Sequence, residues 1–372
     1  MRDLIVFGED WGGLPSSTQH LVGRLAQDRQ VVWVNSIGLR QPALTWRDST
    51  RAVQKILGKA KTGYNHSAKQ TELNSIKVVN LRTIPAPKSA IARRIARDVM
   101  LHQLHPILEK MSLSSPILWS SLPTAADLCG HLNESAVVYY CGDDFSALAG
   151  VDHRVVTMHE RCLAEKANLI FAASENIKAK FPACKTQLLP HGVDTQLFST
   201  PSPRASDLPN NGKPIAGFYG SLSQWLDYDL IHHIACNLPN WEFVFIGPIE
   251  LSSCQLPKLP NVHYLGPKAH YLLPSYSQHW NVSLLPFKAN QQIQACSPLK
   301  LMEYLAAGSA IVTTDFPALK PYRKHVNIAQ NSEEMVSMLH LACQQPKLPR
   351  DIVTQESWDS RSQFVNWMLE LL

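Results

Sequence analysis

No apolar run in this chain of 372 residues approaches the roughly 20 residues needed to span a bilayer as a helix. A secretory leader is not expected either. Leu4-Ile5-Val6-Phe7 is short, and Glu9 and Asp10 follow it at once. Charged residues are sparse at 17% against 45% hydrophobic, a balance that excludes wholesale disorder and suits a globular protein with a sizeable core. The eight cysteines, at 129, 141, 162, 184, 236, 254, 296 and 343, include no Cys-x-x-Cys pair. Neither a disulfide framework nor a zinc site is expected, and they read as reduced core thiols of a cytosolic protein. There is no low-complexity tract and no internal repeat beyond a shared βα rhythm.

The length itself exceeds what one core usually serves, so two domains are expected. Short apolar runs alternate with helical patterns, the mark of parallel α/β units. In the N-terminal half, strands are expected at 3–7, 30–34, 75–81, 116–120, 136–141, 168–173 and 186–189, with helices at 16–28, 89–111 and 152–166. The stretch Ser199-Thr200-Pro201-Ser202-Pro203, continuing to Pro209-Asn210-Asn211-Gly212, reads as a linker. A second α/β series starts at Pro214 and ends near 350, and residues 351–372 contain an amphipathic helix with Trp358, Phe364, Trp367 and Leu371 to bury. The division is thus 1–198, a linker at 199–213, 214–350 and a C-terminal helix. Ligands of open parallel sheets bind at the carboxyl ends of strands, which is where chemistry is sought.

One such end is Leu284-Leu285-Pro286-Phe287, followed by a polar loop with Lys288 and Asn290 and then by a helix opening near Pro298. Lys300 and Glu303 are three apart and share one face of that helix near its N-terminus. Backbone N–H groups there attract phosphate, Lys300 adds a full charge, and an acceptor-only Glu303 suits two adjacent hydroxyls such as those of a ribose. An ordinary surface ion pair is the alternative. Gly220 with Ser221 follows another strand; lacking a Cβ, Gly220 lets the backbone approach a pyrophosphate.

In the N-terminal half, Gly8-Glu9-Asp10-Trp11-Gly12-Gly13 follows the first strand, and Ser16 or Ser17 can cap the next helix, which carries His20. After the fifth strand come Asp143 and Asp144. Adjacent carboxylates at a strand end can differ in pKa, which suits one of them to act as a base, whereas the plain alternative is a helix cap. Residues 40–110 hold fourteen Lys or Arg against four acids, a net +10 within a chain of net +5. Arg47, Arg51, Lys55, Lys59 and Lys61 surround Val53, Ile56 and Leu57, and Arg93, Arg94 and Arg97 extend the set. An anionic membrane surface fits this pattern, as does a solvated helix face. No recognised nucleic-acid motif accompanies the charge.

Pro298-x-Lys300-x-x-Glu303-Tyr304-Leu305-Ala306-x-Gly308, then a strand ending Thr313-Thr314-Asp315, resembles the donor-binding motif of GT-B glycosyltransferases. Four further segments resemble the same superfamily in order: Pro190-His191-Gly192-Val193-Asp194 with Phe198, Gly217 to Leu222, Phe245-Ile246-Gly247-Pro248, and Asn261 to Gly266. The nearest likeness is to bacterial exopolysaccharide and cell-wall polymer transferases, including teichuronic-acid transferases and the xanthan glucuronosyltransferase. The resemblance implies an α/β protein of two Rossmann-like domains facing a central cleft, with the C-terminal helix packing back on the first. It implies transfer of a sugar from a nucleotide donor, UDP-linked by expectation, to a lipid-linked or polysaccharide acceptor, in the cytoplasm at the inner face of the plasma membrane.

Under that likeness Gly220, Ser221, Gly247, Gly266, Asn290, Pro298, Lys300, Glu303 and Tyr304 bind the donor. Gly12, Gly13, Ser16 and His20 face the acceptor, and Asp143 or Asp144 is the base, with Glu9, Asp10 and His20 as alternatives. No cofactor or metal is expected beyond the nucleotide-sugar co-substrate, because no Asp-x-Asp occupies a donor loop. Two departures stand out. Many retaining members carry a second Glu where this chain has Ala295, and an Arg and a Lys where it has Ser221 to Asp227. Phosphate compensation then rests on Lys300, helix N-termini and Lys288 or Lys268. A nucleotide-sugar epimerase and a non-catalytic scaffold of a polysaccharide assembly remain the alternatives.

Overall fold

The computed structural model describes residues 1–13, 16–36, 75–84, 87, 89–113, 115–145, 153–297 and 299–372. By its contacts the chain divides into two units: Met1–Pro190 with Arg361–Leu372, and His191–Ser360.

The first unit is built on β1 (Leu4–Phe7), β2 (Val31–Val34), β3 (Ile76–Val79), β4 (Ile117–Ser120), β5 (Ala136–Cys141), β6 (Leu169–Ala172) and β7 (Thr186–Leu188). They form one parallel sheet in the order β3-β2-β1-β4-β5-β6-β7. The strand sequences LIVF, VVWV, ILWS, AVVYYC and LIFA are buried along their whole length. Continuous rather than alternating burial is what a parallel sheet covered on both faces requires. Its helices include α1 (Ser17–Leu25), α2 (Ala90–Lys110), α3 (His153–Lys166) and α4 (Glu175–Lys178). The winding reverses between β1 and β4, so the loops after these strands diverge and leave a crevice.

The second unit opens with α5 (Thr195–Ser199), then β8 (Ile215–Tyr219), α6 (Tyr228–Asn237), β9 (Glu242–Ile246) and β10 (Val262–Tyr264). After α7 (Pro274–Ser277) and β11 (Val282–Leu285) come α8 (Gln291–Ala295), α9 (Leu299–Ala306), β12 (Ala310–Thr314), β13 (Asn327–Ala329) and α10 (Ser332–Gln344). Its parallel sheet runs β10-β9-β8-β11-β12-β13, with the switch point between β8 and β11. Val193, Phe198 and Leu208 are buried in this unit's core. The division therefore falls after Pro190 rather than at 198. The Pro-rich stretch is not a free connector. Gln278 Nε2 donates to the carbonyls of Phe198 at 2.7 Å and Thr200 at 2.8 Å, which straps the stretch to the second unit.

The final helix, α11 (Trp358–Glu370), starts in the second unit and joins the first from Arg361 onward. There Phe364 lies 6.2 Å from Phe171 of β6, and the buried Arg29 guanidinium donates to Glu370 Oε1 at 2.6 Å. The C-terminal helix thus packs on the first unit, as the sequence suggests. The cysteines fit the expectation of core thiols only in part: Cys129 and Cys141 are buried, whereas Cys184, Cys236 and Cys254 are exposed. Among the described residues, no helix is long and apolar enough to cross a membrane.

Candidate functional site

Three glycines end three adjacent strands of the second unit. Gly220 after β8, Gly247 after β9 and Gly266 after β10 have φ of 142°, 140° and 69°. The first two values lie in a region that only glycine occupies without strain. The turns interlock through the backbone. Gly220 N–H donates to Ile246 O at 2.8 Å, and Gly247 N–H donates to Gly266 O at 3.0 Å. A Cβ on Gly247 would stand 2.0 Å from Gly220 O. The sequence singles out all three, and the structure brings them together with half-buried Ser221 on one rim.

Lys300, in the first turn of α9, reaches this rim. Its Nζ lies 3.3 Å and its Cε 2.6 Å from where a Cβ on Gly220 would be. It makes no ion pair with a described residue. One turn further, Glu303 is only 3% exposed. Its Oε1 accepts from His270 Nε2 at 2.7 Å. Burial works against charge on His270, but the bond and charge of Glu303 outweigh it and hold the imidazole above its usual pKa; Asp194 adds in the same sense. His270 was not read from the sequence as functional. Its only signal is its place four residues after Gly266, in the loop that follows a segment of the resemblance.

Tyr304 lies beneath the site rather than in it. It is fully buried, its hydroxyl accepts from Tyr219 N–H at 3.1 Å, and its ring meets Tyr219 edge-on. A side chain so enclosed supports the turn after β8. Burial and the neighbouring Glu303 charge push the Tyr219 hydroxyl well above the usual phenol range. Asn290 is likewise engaged, since its side chain caps α8 by accepting from Ile293 N–H at 2.9 Å. Pro298 lies outside the described residues. Of the two lysines considered for phosphate, Lys268 is paired with Asp207 at 2.6 Å, while Lys288 is exposed.

In the first unit, Asp143 and Asp144 follow β5 and diverge. Asp143 is exposed; Asp144 is mostly buried and paired with Lys180. At the end of β1, Glu9 Oε2 accepts from Ser16 Oγ at 3.0 Å. Burial raises the Glu9 pKa, and the charges of Asp143 and Asp10 add to the effect. Asp10 is held by Ser36, whose Oγ donates to Oδ1 at 2.7 Å. Gly12 N–H donates to Gln19 Oε1 at 3.2 Å and Gly13 N–H to Asp10 O at 3.0 Å, closing the loop. Ser16 caps α1 by accepting from Gln19 N–H. His20 sits part-buried on the same helix. Carboxylates from two loops thus share one crevice.

Most of the basic segment 40–110, including Arg40 to Lys69 and Lys88, lies outside the described residues. Among the rest, Arg93 is not a surface charge: it turns inward, and its Nε donates to Asp127 Oδ2 at 2.8 Å. Arg94 is exposed.

No family model matches the chain. Over 248 residues it is 28% identical to TuaH of Bacillus subtilis (strain 168), a protein named for a glycosyltransferase of teichuronic acid biosynthesis. That match covers 60% of this chain and 62% of TuaH, so it spans less than two thirds of the relative. Among solved structures, HepE of Anabaena in complex with UDP and glucose superposes with a TM-score of 0.69 at 12% identity, over 100% of both chains. Sucrose-phosphate synthase of Thermosynechococcus elongatus gives 0.69 at 12% identity, over 100% of this chain and 99% of that one. A UDP-forming trehalose-phosphate synthase of Burkholderia xenovorans gives 0.64 at 13% identity, again over 100% and 99%. The chain has the GT-B fold.

Proposed function

We propose that this chain is a glycosyltransferase that moves a sugar from a UDP-linked donor to a lipid-linked or polysaccharide acceptor in bacterial surface-polysaccharide synthesis. The observation that carries the reading is the glycine rim of the second unit with Lys300 and Glu303 on one helix face beside it. Backbone that approaches without side chains, a cation on the rim and a buried carboxylate one turn away match diphosphate and ribose in that order. TuaH and the UDP complexes of HepE support the same substrate class.

In the reaction proposed, the acceptor oxygen forms a bond to the anomeric carbon as the bond to the diphosphate breaks and UDP leaves. Lys300 and the backbone N–H groups of the rim stabilise the charge growing on the diphosphate, the role a metal ion plays elsewhere. Ala295 supplies no carboxylate, so the base is sought in the first unit. Asp143 takes the acceptor proton, because Asp144 is committed to Lys180.

A membrane-bound acceptor would be met by α2. Ile91, Ile95 and Val99 recur at helical spacing, 75%, 50% and 42% exposed, with Arg94 beside them. The reading places the protein in the cytoplasm, on the inner face of the plasma membrane. Flotation with anionic liposomes at low salt should recover it, with release as salt rises; no recovery at low salt would reject the membrane surface.

Titration calorimetry with UDP tests the donor site. Lys300→Ala and Glu303→Ala should each weaken binding about tenfold or more, and unchanged affinity in both would sink the assignment. Mass spectrometry across a panel of nucleotide sugars would then identify the donor.

A further inference from the structure

Glu303 carries one feature that the donor-site reading does not require. A carboxylate 3% exposed is costly unless its charge is met, and His270 meets it from a segment of its own, the turn after β10. Oε1 is held at 2.7 Å by His270 Nε2, and the buried Tyr219 hydroxyl also lies against the carboxylate. The imidazole is itself fixed, with the Phe198 ring edge-on at 5.4 Å. His270 thus fixes one oxygen of the carboxylate beside the glycine rim.

We propose that His270 is a positioning residue, which orients Glu303 toward the ribose and, by its own positive charge, lets an anionic nucleotide approach that carboxylate. The inference rests on the donor-site reading and adds to it a dependence of nucleotide affinity on one histidine. The charge argument is simple. Glu303 alone would set a negative charge beside an incoming diphosphate; paired with an imidazolium, the group is neutral. The groups acting on His270 are Glu303 from α9 and Asp194 at the start of α5, both favouring the charged form; Lys268 on its own segment is paired with Asp207. The pKa of His270 is raised, so the imidazole keeps its charge to higher pH than a free histidine, and as pH rises through that value it is lost and the charge of Glu303 is left uncompensated. Affinity for an anionic nucleotide should fall in the same direction.

The experiment is calorimetry with UDP-glucose, and with uncharged uridine as control, from about pH 6 to about pH 8.5. With the wild-type chain, affinity for UDP-glucose should fall about three- to tenfold across that range, and affinity for uridine much less. His270→Gln keeps a neutral donor where Nε2 stands. It should bind uridine as the wild type does but show a flat UDP-glucose profile at the level the wild type reaches at high pH. His270→Ala should weaken both ligands. A wild-type profile that is flat, or one that His270→Gln reproduces in full, overturns the inference while leaving the donor site intact if Glu303→Ala still weakens binding about tenfold or more. Should Glu303→Ala bind UDP-glucose as the wild type does, the donor-site reading itself fails.

Discussion

Lys300 occupies the space that a side chain on residue 220 would need, with its Cε 2.6 Å from the place of that missing Cβ. The absence of an atom at Gly220 therefore does two things. It lets the backbone take a φ of 142°, and it lets the one unpaired cation of α9 lie along the rim of the turn. Glycine and lysine are distant in sequence and are one device in the fold.

Gly220→Ala should accordingly weaken nucleotide binding as well as stability. The strained φ costs about 1–3 kcal/mol, and the methyl group drives Lys300 off the rim. Gly247→Ala is more severe, because its Cβ would meet backbone, Gly220 O, at 2.0 Å rather than a flexible side chain. Gly266→Ala meets nothing within 4 Å and should be the mildest of the three. Denaturant melts ranked 266, 220, 247 in rising damage, with UDP affinity lost at 220, check the argument. Equal effects at all three positions would refute it.

Removing the charge of Lys300 without its bulk separates phosphate binding from packing. Lys300→Met should lower UDP affinity about 10- to 100-fold, the worth of a charge-assisted contact, while leaving uridine affinity and the melting temperature nearly unchanged. The wild-type affinity should fall with added salt and the variant's much less. Calorimetry at two salt concentrations measures both.

The strands and long helices were legible because their periodicity is local. Residues 168–173 and 89–111 read as strand and helix, and β6 and α2 lie at Leu169–Ala172 and Ala90–Lys110. The three glycines were legible because a strand followed by glycine is a local pattern. What stayed hidden depends on contacts between distant segments. Tyr304 lies in the donor motif yet faces Tyr219 in the core. His270 looks like any loop histidine until α9 brings Glu303 to it. Likewise, nothing in the pair Asp143-Asp144 says which one Lys180 will take. The apparent linker misled because Pro, Ser and Asn mark irregular backbone, and irregular backbone can be strapped down.

Acid should destabilise the second unit through Glu242, at the start of β9. Burial pushes its carboxyl pKa up, but hydrogen bonds from His263 at 2.5 Å and Asn211 at 2.8 Å outweigh this and hold it below its usual value. A group whose pKa is depressed by folding stabilises the fold above its unfolded pKa, and that contribution is lost as pH falls through the folded value. Glu242→Gln should therefore cost about 1–2 kcal/mol near neutrality and flatten the acid limb of stability. Denaturant midpoints from neutral pH down to about pH 3 show this; an acid limb unchanged in the variant would acquit Glu242.

Asp143 and Asp144 are neighbours with opposite expectations. Asp143 is exposed in the crevice that also holds Glu9; Asp144 is paired with Lys180. Asp143→Asn should leave UDP affinity and stability near wild type and reduce transfer by about 10²–10⁴-fold, the range of a lost general base. Asp144→Asn should keep most transfer and lose up to about 1 kcal/mol of stability with its ion pair. Full transfer by Asp143→Asn would reject it as the base. Loss in Glu9→Gln instead would move the role to the carboxyl whose pKa burial raises, on the same crevice but from the loop after β1.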